Sequence, residues 1–324
     1  MSAMFEAPIA AALAGELRVF WDDIFEYSDE HPPDVPPEAY LGSETDHNRL
    51  TVYLERRAET PAGTCAITVP KTHPILGGFG EVATRPELRG SGIATRLCGR
   101  AVEDFRAAGG QALFLGTSVP AVRRIYHRLG WRKLAGADVM ANISSGDSPE
   151  AFLVDYFRAP GEATVVRATP AVRVPMIPLL HAPHDWQVLD ANAGMYSTRY
   201  CVQYSCMGLY RRYLAALGGG RGEWFGARTT DGRVVGLATA RRAGAVCQVD
   251  GFAHPCFATV WPDLMAAAMR RAAAWGSSEC CAVVCVEDEE KRALFEGLGF
   301  RDATVSPDFV LDGRAAGAVR MVAG

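Results

Sequence analysis

The sequence repeats its own pattern in its second half, and this repeat restricts the possible folds more than any other feature. Residues 86–132 align with residues 255–301 without a gap, so that RIYHRLGWR falls on ALFEGLGFR. Few letters are identical, among them the pairs Pro86/Pro255, Leu129/Leu298 and Gly130/Gly299. A shared order of apolar runs and turns with few identities indicates an old duplication of one domain.

The length agrees with a duplicated domain. A chain of 324 residues exceeds the usual size of one hydrophobic core, so we expect two domains of roughly 150 residues each. Pro160-Gly161 is the predicted boundary, which gives domains 1–160 and 161–324. The composition, 49% hydrophobic and 22% charged, excludes a disordered or fibrous protein.

Charge and cysteine usage restrict the partners and the compartment. A net charge of -4 argues against a general electrostatic attraction to nucleic acid. The nine cysteines lie largely in apolar runs and are interpreted as buried thiols of a reducing compartment. No apolar stretch approaches the roughly 18 residues of a membrane span, and the start of the chain lacks the basic region of a secretory signal. We therefore expect a soluble cytoplasmic protein with no membrane partner.

The first half predicts strands on both sides of a crossover helix. A helix with apolar positions Leu17 to Phe25 comes first, and it is followed by strand-like runs that end in Phe79 to Thr84. A helix with apolar residues every four positions from Ile93 leads to the short buried strand Gln111 to Gly116. A last short helix covers Ala121 to Arg128. Strand, helix and strand in this order favour two parallel neighbouring strands in a mixed α/β fold.

The most informative segment is the turn from Arg89 to Ala94, with sequence RGSGIA, between a strand and a helix. Small residues let backbone N–H groups converge there, and the helix N-terminus adds partial positive charge, so that a pyrophosphate could bind without a metal. A dinucleotide fingerprint is weak, because Thr95 stands where a third small residue is needed. A P-loop is not indicated, because no Gly-Lys-Ser/Thr follows the glycines. The remaining alternative is a tight turn that binds no ligand.

The turn, the following helix, the short apolar strand and Tyr126 just before Leu129-Gly130-Trp131 together resemble the GNAT superfamily of N-acetyltransferases. The resemblance covers about residues 49–135, and the repeat extends it to a tandem arrangement. It implies two α+β domains, each with a mixed, mostly antiparallel sheet and a splayed parallel strand pair flanked by helices. It also implies acetyl-CoA as co-substrate.

Cofactor-binding residues are carried over from the resemblance position by position. Arg89, Gly90, Ser91, Gly92, Ile93 and Ala94, followed by Thr95, look like the loop that binds the pyrophosphate of coenzyme A. Val82, Ala83 and Thr84 correspond to the strand that pairs with the pantetheine arm. Many members have Asn seven residues before the tyrosine, whereas this chain has Val119 there with Ser118 beside it, which leaves a contact at Ser118 in doubt.

Two residues are candidates for proton transfer. Tyr126 falls where the family has a general acid, and a phenol, with a pKa near 10 against about 8.5 for a thiol, can protonate the departing thiolate when it is hydrogen-bonded to the sulfur. Glu81 is the candidate base if burial raises its pKa, with a solvated strand residue as the alternative. His47 and His127 are weaker candidates, and Cys98 is interpreted as a packing residue.

The second half has lost these features. Trp261-Pro262 aligns with Gly92-Ile93, and Phe295 aligns with Tyr126. Trp is too bulky for a phosphate loop and Pro has no N–H, while Phe has no proton to donate. The sequence therefore predicts one active site, in residues 1–160, and a degenerate second domain kept for packing, substrate enclosure or dimer contacts. A homodimer is left open.

An acidic stretch suggests the acceptor. Nine acidic residues and no Lys or Arg lie between Asp22 and Asp46. If they border the acceptor channel they favour a cationic amine, although a solvated acidic face is the alternative. The sequence thus predicts an acetyl-CoA-dependent N-acetyltransferase, without a metal, that acts on a small primary amine by direct attack in a ternary complex. The alternative is an acyl-CoA-binding sensor or interaction module without catalysis.

Overall fold

The strands of a computed structural model form two large mixed sheets, one from each half of the chain. The structure describes residues 2–28, 30–117, 119–144 and 146–324. The elements of the first half are β1 (Ser2–Glu6), α1 (Ala11–Phe25), β2 (Asn48–Arg57), β3 (Thr60–Pro70), β4 (Leu76–Thr84), α2 (Ile93–Ala107), β5 (Ala112–Gly116), α3 (Pro120–Arg128), β6 (Arg132–Lys133), β7 (Val139–Ile143) and α4 (Pro149–Arg158).

The first sheet contains the predicted parallel pair. Its strand order is β1-β2-β3-β4-β5-β7-β6, and the strands are antiparallel to their neighbours except for β4 and β5. β4 and β5 pair only where Leu76 to Gly78 lie beside Ala112 to Phe114. Their pairing ends at Gly78 and Phe114, and from there the two strands separate toward their carboxyl ends. The predicted fold class, a mostly antiparallel sheet with a splayed parallel pair, is confirmed.

Helices cover both faces of this sheet. Leu17, Phe20 and Trp21 of α1 pack with one set of strand residues on one face. Ile93 and Leu97 of α2 and the side chain of Tyr126 on α3 pack with the other set. Alternating strand residues thus divide the apolar core of the first half into two layers.

The second half builds the same arrangement again. Its elements are β8 (Ala163–Arg167), α5 (Met176–His181), β9 (Val188–Asp190), β10 (Met195–Tyr196), α6 (Gly208–Leu217), β11 (Gly222–Thr229), β12 (Val234–Ala243), β13 (Val246–Ala253), α7 (Trp261–Ala274), β14 (Glu279–Cys285), α8 (Glu289–Gly297), β15 (Phe300–Leu311) and β16 (Arg314–Ala323).

The strand order of the second sheet repeats that of the first. From its β8 edge it reads β8-β11-β12-β13-β14-β16-β15, with β13 and β14 as the parallel pair. The alignment that places Pro86 on Pro255 also places α3 on α8 with the same bounds, and it places β4 on β13 except for the first position of β4. Both halves therefore have one topology, as the internal repeat predicts.

A buried ion pair links the two halves. Arg173, which precedes α5, donates from Nε to Glu44 Oε2 at 3.0 Å and from Nη2 to Glu44 Oε1. Both side chains are almost fully buried, and the Arg173 guanidinium also lies over the Tyr210 ring. In the part of the chain that the structure describes, no helix is long and apolar enough to cross a membrane.

Candidate active site

A β-bulge in β4 places Glu81 where β4 and β5 separate. Thr64 pairs with Ala83 and Ala66 pairs with Gly80, so Glu81 and Val82 together lie opposite the single residue Cys65. Glu81 has a φ of 50°, in the left-handed region that non-glycine residues seldom occupy. The bulge turns the strand just before the glycine turn and directs Glu81 differently from its strand neighbours.

The carboxyl group of Glu81 lies in a buried environment with one phenol partner. Its side chain is 8% exposed, and Tyr27, just after α1, donates its hydroxyl to Oε2 at 3.0 Å. Burial raises the pKa of Glu81 to about 7, with Asp34 acting in the same direction and the Tyr27 hydrogen bond opposing both. A carboxyl group with this pKa can hold or release a proton near neutral pH.

Tyr126, on α3, lines the same cavity as Glu81. Its ring packs against Trp131 with ring centroids 5.9 Å apart, and its side chain is 5% exposed. Burial raises the pKa of this phenol well above its ordinary value, so it keeps its proton near neutral pH. No hydrogen bond to its hydroxyl is found among the described residues, which leaves the hydroxyl able to donate to a ligand.

The glycine turn leads into α2 as the sequence predicts. Gly90 and Gly92 have φ angles of 83° and 80°, and Gly92 is the N-cap of α2 without a side-chain cap. Arg96 is the first residue of α2 whose backbone N–H donates a hydrogen bond, which goes to the Gly92 carbonyl at 3.0 Å. Among the described residues, no acceptor takes the N–H groups of Ile93, Ala94 and Thr95. An open helix N-terminus of this kind binds anions such as a pyrophosphate.

The cavity at the splay is about 430 Å³ and reaches from the α1 face to α3. Glu81, Val82 and Tyr126 line it together, whereas Ala83 and Thr84 continue β4 toward the glycine turn. The buried Thr84 hydroxyl lacks a partner within the described residues. The unpaired edge of β4, this hydroxyl and the open helix N-terminus fit an extended ligand with an anionic end, which is the chemistry of coenzyme A.

Other predicted residues are not at the cavity. Ser118 falls outside the described residues, although its neighbour Val119 lines the cavity. His47 and His127 do not line it, and His127 lies beside Arg132 at the surface. Cys98 is buried in the layer under α2, as its interpretation as a packing residue predicts. No cluster of potential metal ligands occurs in residues 2–28, 30–117, 119–144 and 146–324.

The acidic stretch divides between several environments. Asp34 lines the cavity, but Glu44 is buried against Arg173 and Asp22 lies 3.7 Å from Arg18 on the surface of α1. Burial raises the pKa of Asp34, whereas the charges of Arg211 and Arg173 act in the opposite direction. Of the described part of the stretch, only Asp34 therefore contributes a carboxyl group to the cavity.

Sequence reasoning missed several cavity residues. Tyr27 lies within the acidic stretch, whose charge pattern does not indicate a phenol, and its contact with Glu81 joins two positions far apart in the sequence. Tyr204 to Met207 lie in the second half and line the cavity of the first. No local pattern could have indicated them, because their approach depends on how the two halves pack.

The corresponding place in the second sheet is partly filled by the protein itself, and a smaller cavity of about 210 Å³ remains beside Trp261. Trp261, the counterpart of Gly92, is 2% exposed and donates its indole N–H to the Gly251 carbonyl of β13 at 3.0 Å. Gly251 is the counterpart of Val82 when the alignment of the two halves is continued into β4 and β13. The Trp261 ring also packs edge-on against Phe295, the counterpart of Tyr126. A tryptophan therefore occupies the strand edge that stays open in the first sheet.

The counterpart of Glu81 is Asp250, and it is held in a buried ion pair. Lys291 Nζ lies 2.7 Å from Asp250 Oδ1, and both side chains are fully buried. Lys291 also donates to the carbonyls of Val188 and Leu189 at 2.9 and 3.1 Å. A carboxylate neutralised in this way is not free to accept a proton from an amine.

A comparison with known protein families finds a match in the first half of the chain. Residues 16–131 match the sequence model of the Acetyltransferase (GNAT) family, which is about a third of the chain. This part of the chain belongs to the GNAT family. The matched region contains the bulge of β4, the glycine turn and Tyr126.

Two solved structures similar to this chain are N-acetyltransferases. One is spermidine N-acetyltransferase from Vibrio cholerae in complex with CoA and spermine, at 15% identity, 50% coverage of this chain, 94% of that chain and a TM-score of 0.39. Another is the ribosomal-protein-S18-alanine N-acetyltransferase from Escherichia coli, at 16% identity, 50% and 92% coverage and a TM-score of 0.36. A search of curated proteins found no match.

Proposed function

We propose that this GNAT protein transfers an acetyl group from acetyl-CoA to the primary amine of a small cationic acceptor, by direct attack in a ternary complex. One observation carries the proposal. A single cavity at the splay of β4 and β5 contains a carboxyl group with a pKa of about 7, Glu81, and a protonated phenol, Tyr126. These are the base and the acid that aminolysis of a thioester requires.

Glu81 acts as the base in this proposal. Its carboxylate takes a proton from the acceptor ammonium, directly or through one water, so that the neutral amine can form a bond to the acyl carbon. Backbone N–H groups on the β4 edge that β5 leaves unpaired stabilise the negative charge on the acyl oxygen. As the carbon–sulfur bond breaks, Tyr126 gives its proton to the thiolate. The nitrogen then gives up its second proton through water to the Tyr126 phenolate, and Glu81 releases the first proton to solvent, so the products are an N-acetyl amine, a free thiol and one proton.

The cofactor-binding residues supply position and charge. The open N-terminus of α2 with Gly90 and Gly92 binds the pyrophosphate, while Arg89, Ser91, Ile93, Ala94 and Thr95 complete the loop. Val82, Ala83 and Thr84 provide the strand edge for the pantetheine arm. Because Trp261 covers the counterpart of this edge in the second half, we assign one active site to the chain.

The proposed acceptor is cationic because of the charges at the cavity. Glu81 and Asp34 are the ionisable carboxyl groups among the described residues that line it, and none of those lining residues is Lys, Arg or His. An ammonium group is attracted to such a cavity, while an anionic acceptor is repelled.

A thiol-release assay with acetyl-CoA against polyamines, aminoglycosides and short peptides tests the proposal. Transfer to at least one cationic amine is expected. Binding of acetyl-CoA without transfer to any amine would contradict the proposed acetyltransferase activity and support a sensor of acyl-CoA.

Tyr126→Phe is the sharpest variant for this assay. We expect kcat to fall by about 10²-fold or more while the affinity for acetyl-CoA stays largely intact, because the phenol acts on the leaving thiolate. Tyr53→Phe, which changes a phenol that does not line the cavity, is the matched control. Unchanged turnover of Tyr126→Phe would remove Tyr126 from the mechanism.

A further inference from the structure

The two faces of the first sheet have different roles at the cavity. The glycine turn leads into α2, which covers one face together with α3. Tyr40 and Val35 line the cavity from the opposite layer, on the face that α1 covers. If the cofactor enters beside α2, the acceptor must come from the α1 face, because the cavity runs through the splay between them.

A segment of the second half closes the cavity on the α1 face. We call residues 203–207 the 203–207 segment. Tyr204, Ser205, Cys206 and Met207 of this segment line the cavity, and Cys206 and Met207 belong to the same apolar layer as α1. The domain that lacks a site of its own thus contributes a wall to the site of the other domain.

Backbone hydrogen bonds fix this segment to the first half. Asp138 donates its N–H to the Gln203 carbonyl at 2.7 Å, and Gln203 donates its N–H to the Gly136 carbonyl at 3.2 Å. The Gln203 side chain donates in turn to the Tyr196 carbonyl at 2.7 Å. The segment is therefore tied to both halves immediately before it reaches the cavity.

Gly78 of β4 makes room for the segment, and Gly116 of β5 lies against it. A Cβ at Gly78, the last residue of β4 that pairs with β5, would collide with the sulfur of Met207. A Cβ at Gly116, the last residue of β5, would lie 3.5 Å from the Tyr204 carbonyl oxygen and 3.6 Å from the Cys206 nitrogen. Met207 therefore fills the point at which β4 and β5 begin to separate.

The second half also holds the acidic side of the cavity. Arg173 donates from Nη1 to the Asp34 backbone carbonyl at 2.9 Å, and Arg211 Nε lies 3.7 Å from Asp34 Oδ1. Both arginines belong to the second half, so the loop that carries Asp34 is positioned from there.

We propose that the 203–207 segment is the wall that sets the size of the acceptor, with Tyr204 as its specificity-determining residue at the mouth. The inference rests on the proposed function and adds an acceptor class, namely unhindered small amines. Tyr204 suits this role because its side chain is 62% exposed while it lines the cavity. Removing its ring widens the mouth without emptying a packed core.

The experiment compares full-length Tyr204→Ala with wild type on a small primary diamine and on a bulky aminoglycoside. We expect the ratio of kcat/KM for the bulky over the small amine to rise about tenfold in Tyr204→Ala, with the KM for acetyl-CoA unchanged. Leu214→Ala is the control, because Leu214 is an exposed apolar residue of the same half that does not line the cavity. It should keep the wild-type ratio.

Met207→Ala is a second variant, which opens the cavity at the other end of the segment, and its folding is checked by thermal melting. An unchanged ratio in both folded variants overturns the inference. A changed KM for acetyl-CoA with an unchanged amine ratio also overturns it, because the segment would then lie on the cofactor side.

If the wild-type protein releases no thiol with any amine, the result contradicts the proposed function and not the inference about the segment. In that case amine affinity is measured by calorimetry in the presence of CoA. Tighter binding of the bulky amine by Tyr204→Ala supports the wall, and equal affinities overturn it.

Discussion

At the scale of single residues, burial gives the two candidate proton-transfer groups opposite tasks. The same desolvation raises the pKa of both, but it brings Glu81 to about 7 and takes Tyr126 further from neutrality. The carboxyl group therefore exchanges its proton near physiological pH, whereas the phenol keeps its proton in the absence of a ligand. The same burial gives different outcomes because a carboxyl group and a phenol start from different ordinary pKa values.

The raised pKa of Glu81 predicts the pH dependence of the reaction. A base must be ionised, so kcat/KM should rise with pH up to an inflection near 7 and then level off. Glu81→Gln should lower kcat/KM by about 10²-fold or more and remove that inflection, measured by thiol release across the range from acid to mildly alkaline pH.

Glu103→Gln provides the control for this prediction. Glu103 is an exposed residue of α2 that does not line the cavity, so its variant should keep the wild-type profile. A profile with the wild-type inflection in Glu81→Gln would show that another group is the base.

At the scale of elements, the bulge of β4 and the glycine turn are consecutive departures from regular structure. Glu81, Gly90 and Gly92 all have positive φ, and they lie close together in the sequence. Of the three, only Glu81 is strained, because glycine adopts positive φ without steric cost, and strain at a non-glycine residue often accompanies binding sites. Here the bulge directs a carboxyl group into the cavity, and the glycine turn leaves the first N–H groups of α2 open.

Gly92→Val tests the turn. Val is strained at a φ of 80°, and its Cβ would lie 3.1 Å from Arg96 Nη1, so the open N-terminus of α2 should distort. We expect the KM for acetyl-CoA to rise about tenfold or more with a smaller change in the affinity for the amine, in initial-rate kinetics with each substrate varied.

Gly99→Ala is the matched control in the same helix, because a Cβ there meets no atom within 4 Å. It should leave the KM for acetyl-CoA unchanged and stabilise the protein by up to about 1 kcal/mol. Equal KM values in both variants would argue against a cofactor at this turn.

At the scale of the whole molecule, the two halves share one topology but differ in what occupies the splay. In the first half it is open to a cavity, and in the second half Trp261 and the Asp250–Lys291 pair partly fill the equivalent region. The halves are joined through the buried contact of Arg173 with Glu44, and the same arginine holds the loop of Asp34. Packing of the second half thus reaches the site in the first.

Arg173→Met tests this connection. Removal of the guanidinium leaves Glu44 buried and uncompensated, which should lower the free energy of unfolding by about 3–5 kcal/mol, measured by urea denaturation at neutral pH. Glu44→Gln together with Arg173→Met should recover part of this loss, since no buried charge then remains. A loss below about 1 kcal/mol for Arg173→Met alone would mean that the pair is not buried in solution.

The sequence by itself determined the repeat, the mixed sheets with a splayed parallel pair, the glycine turn at the start of α2 and the candidate pair Glu81 and Tyr126. These follow from local periodicity, turn residues and a family resemblance within one stretch of chain. Only the tertiary structure decided that Tyr27 bonds to Glu81, that Asp34 reaches the cavity while Glu44 does not, and that residues 204–207 line it. Such contacts join positions that are far apart in the sequence, and local patterns carry no information about them because the packing of elements and of the two halves brings them together.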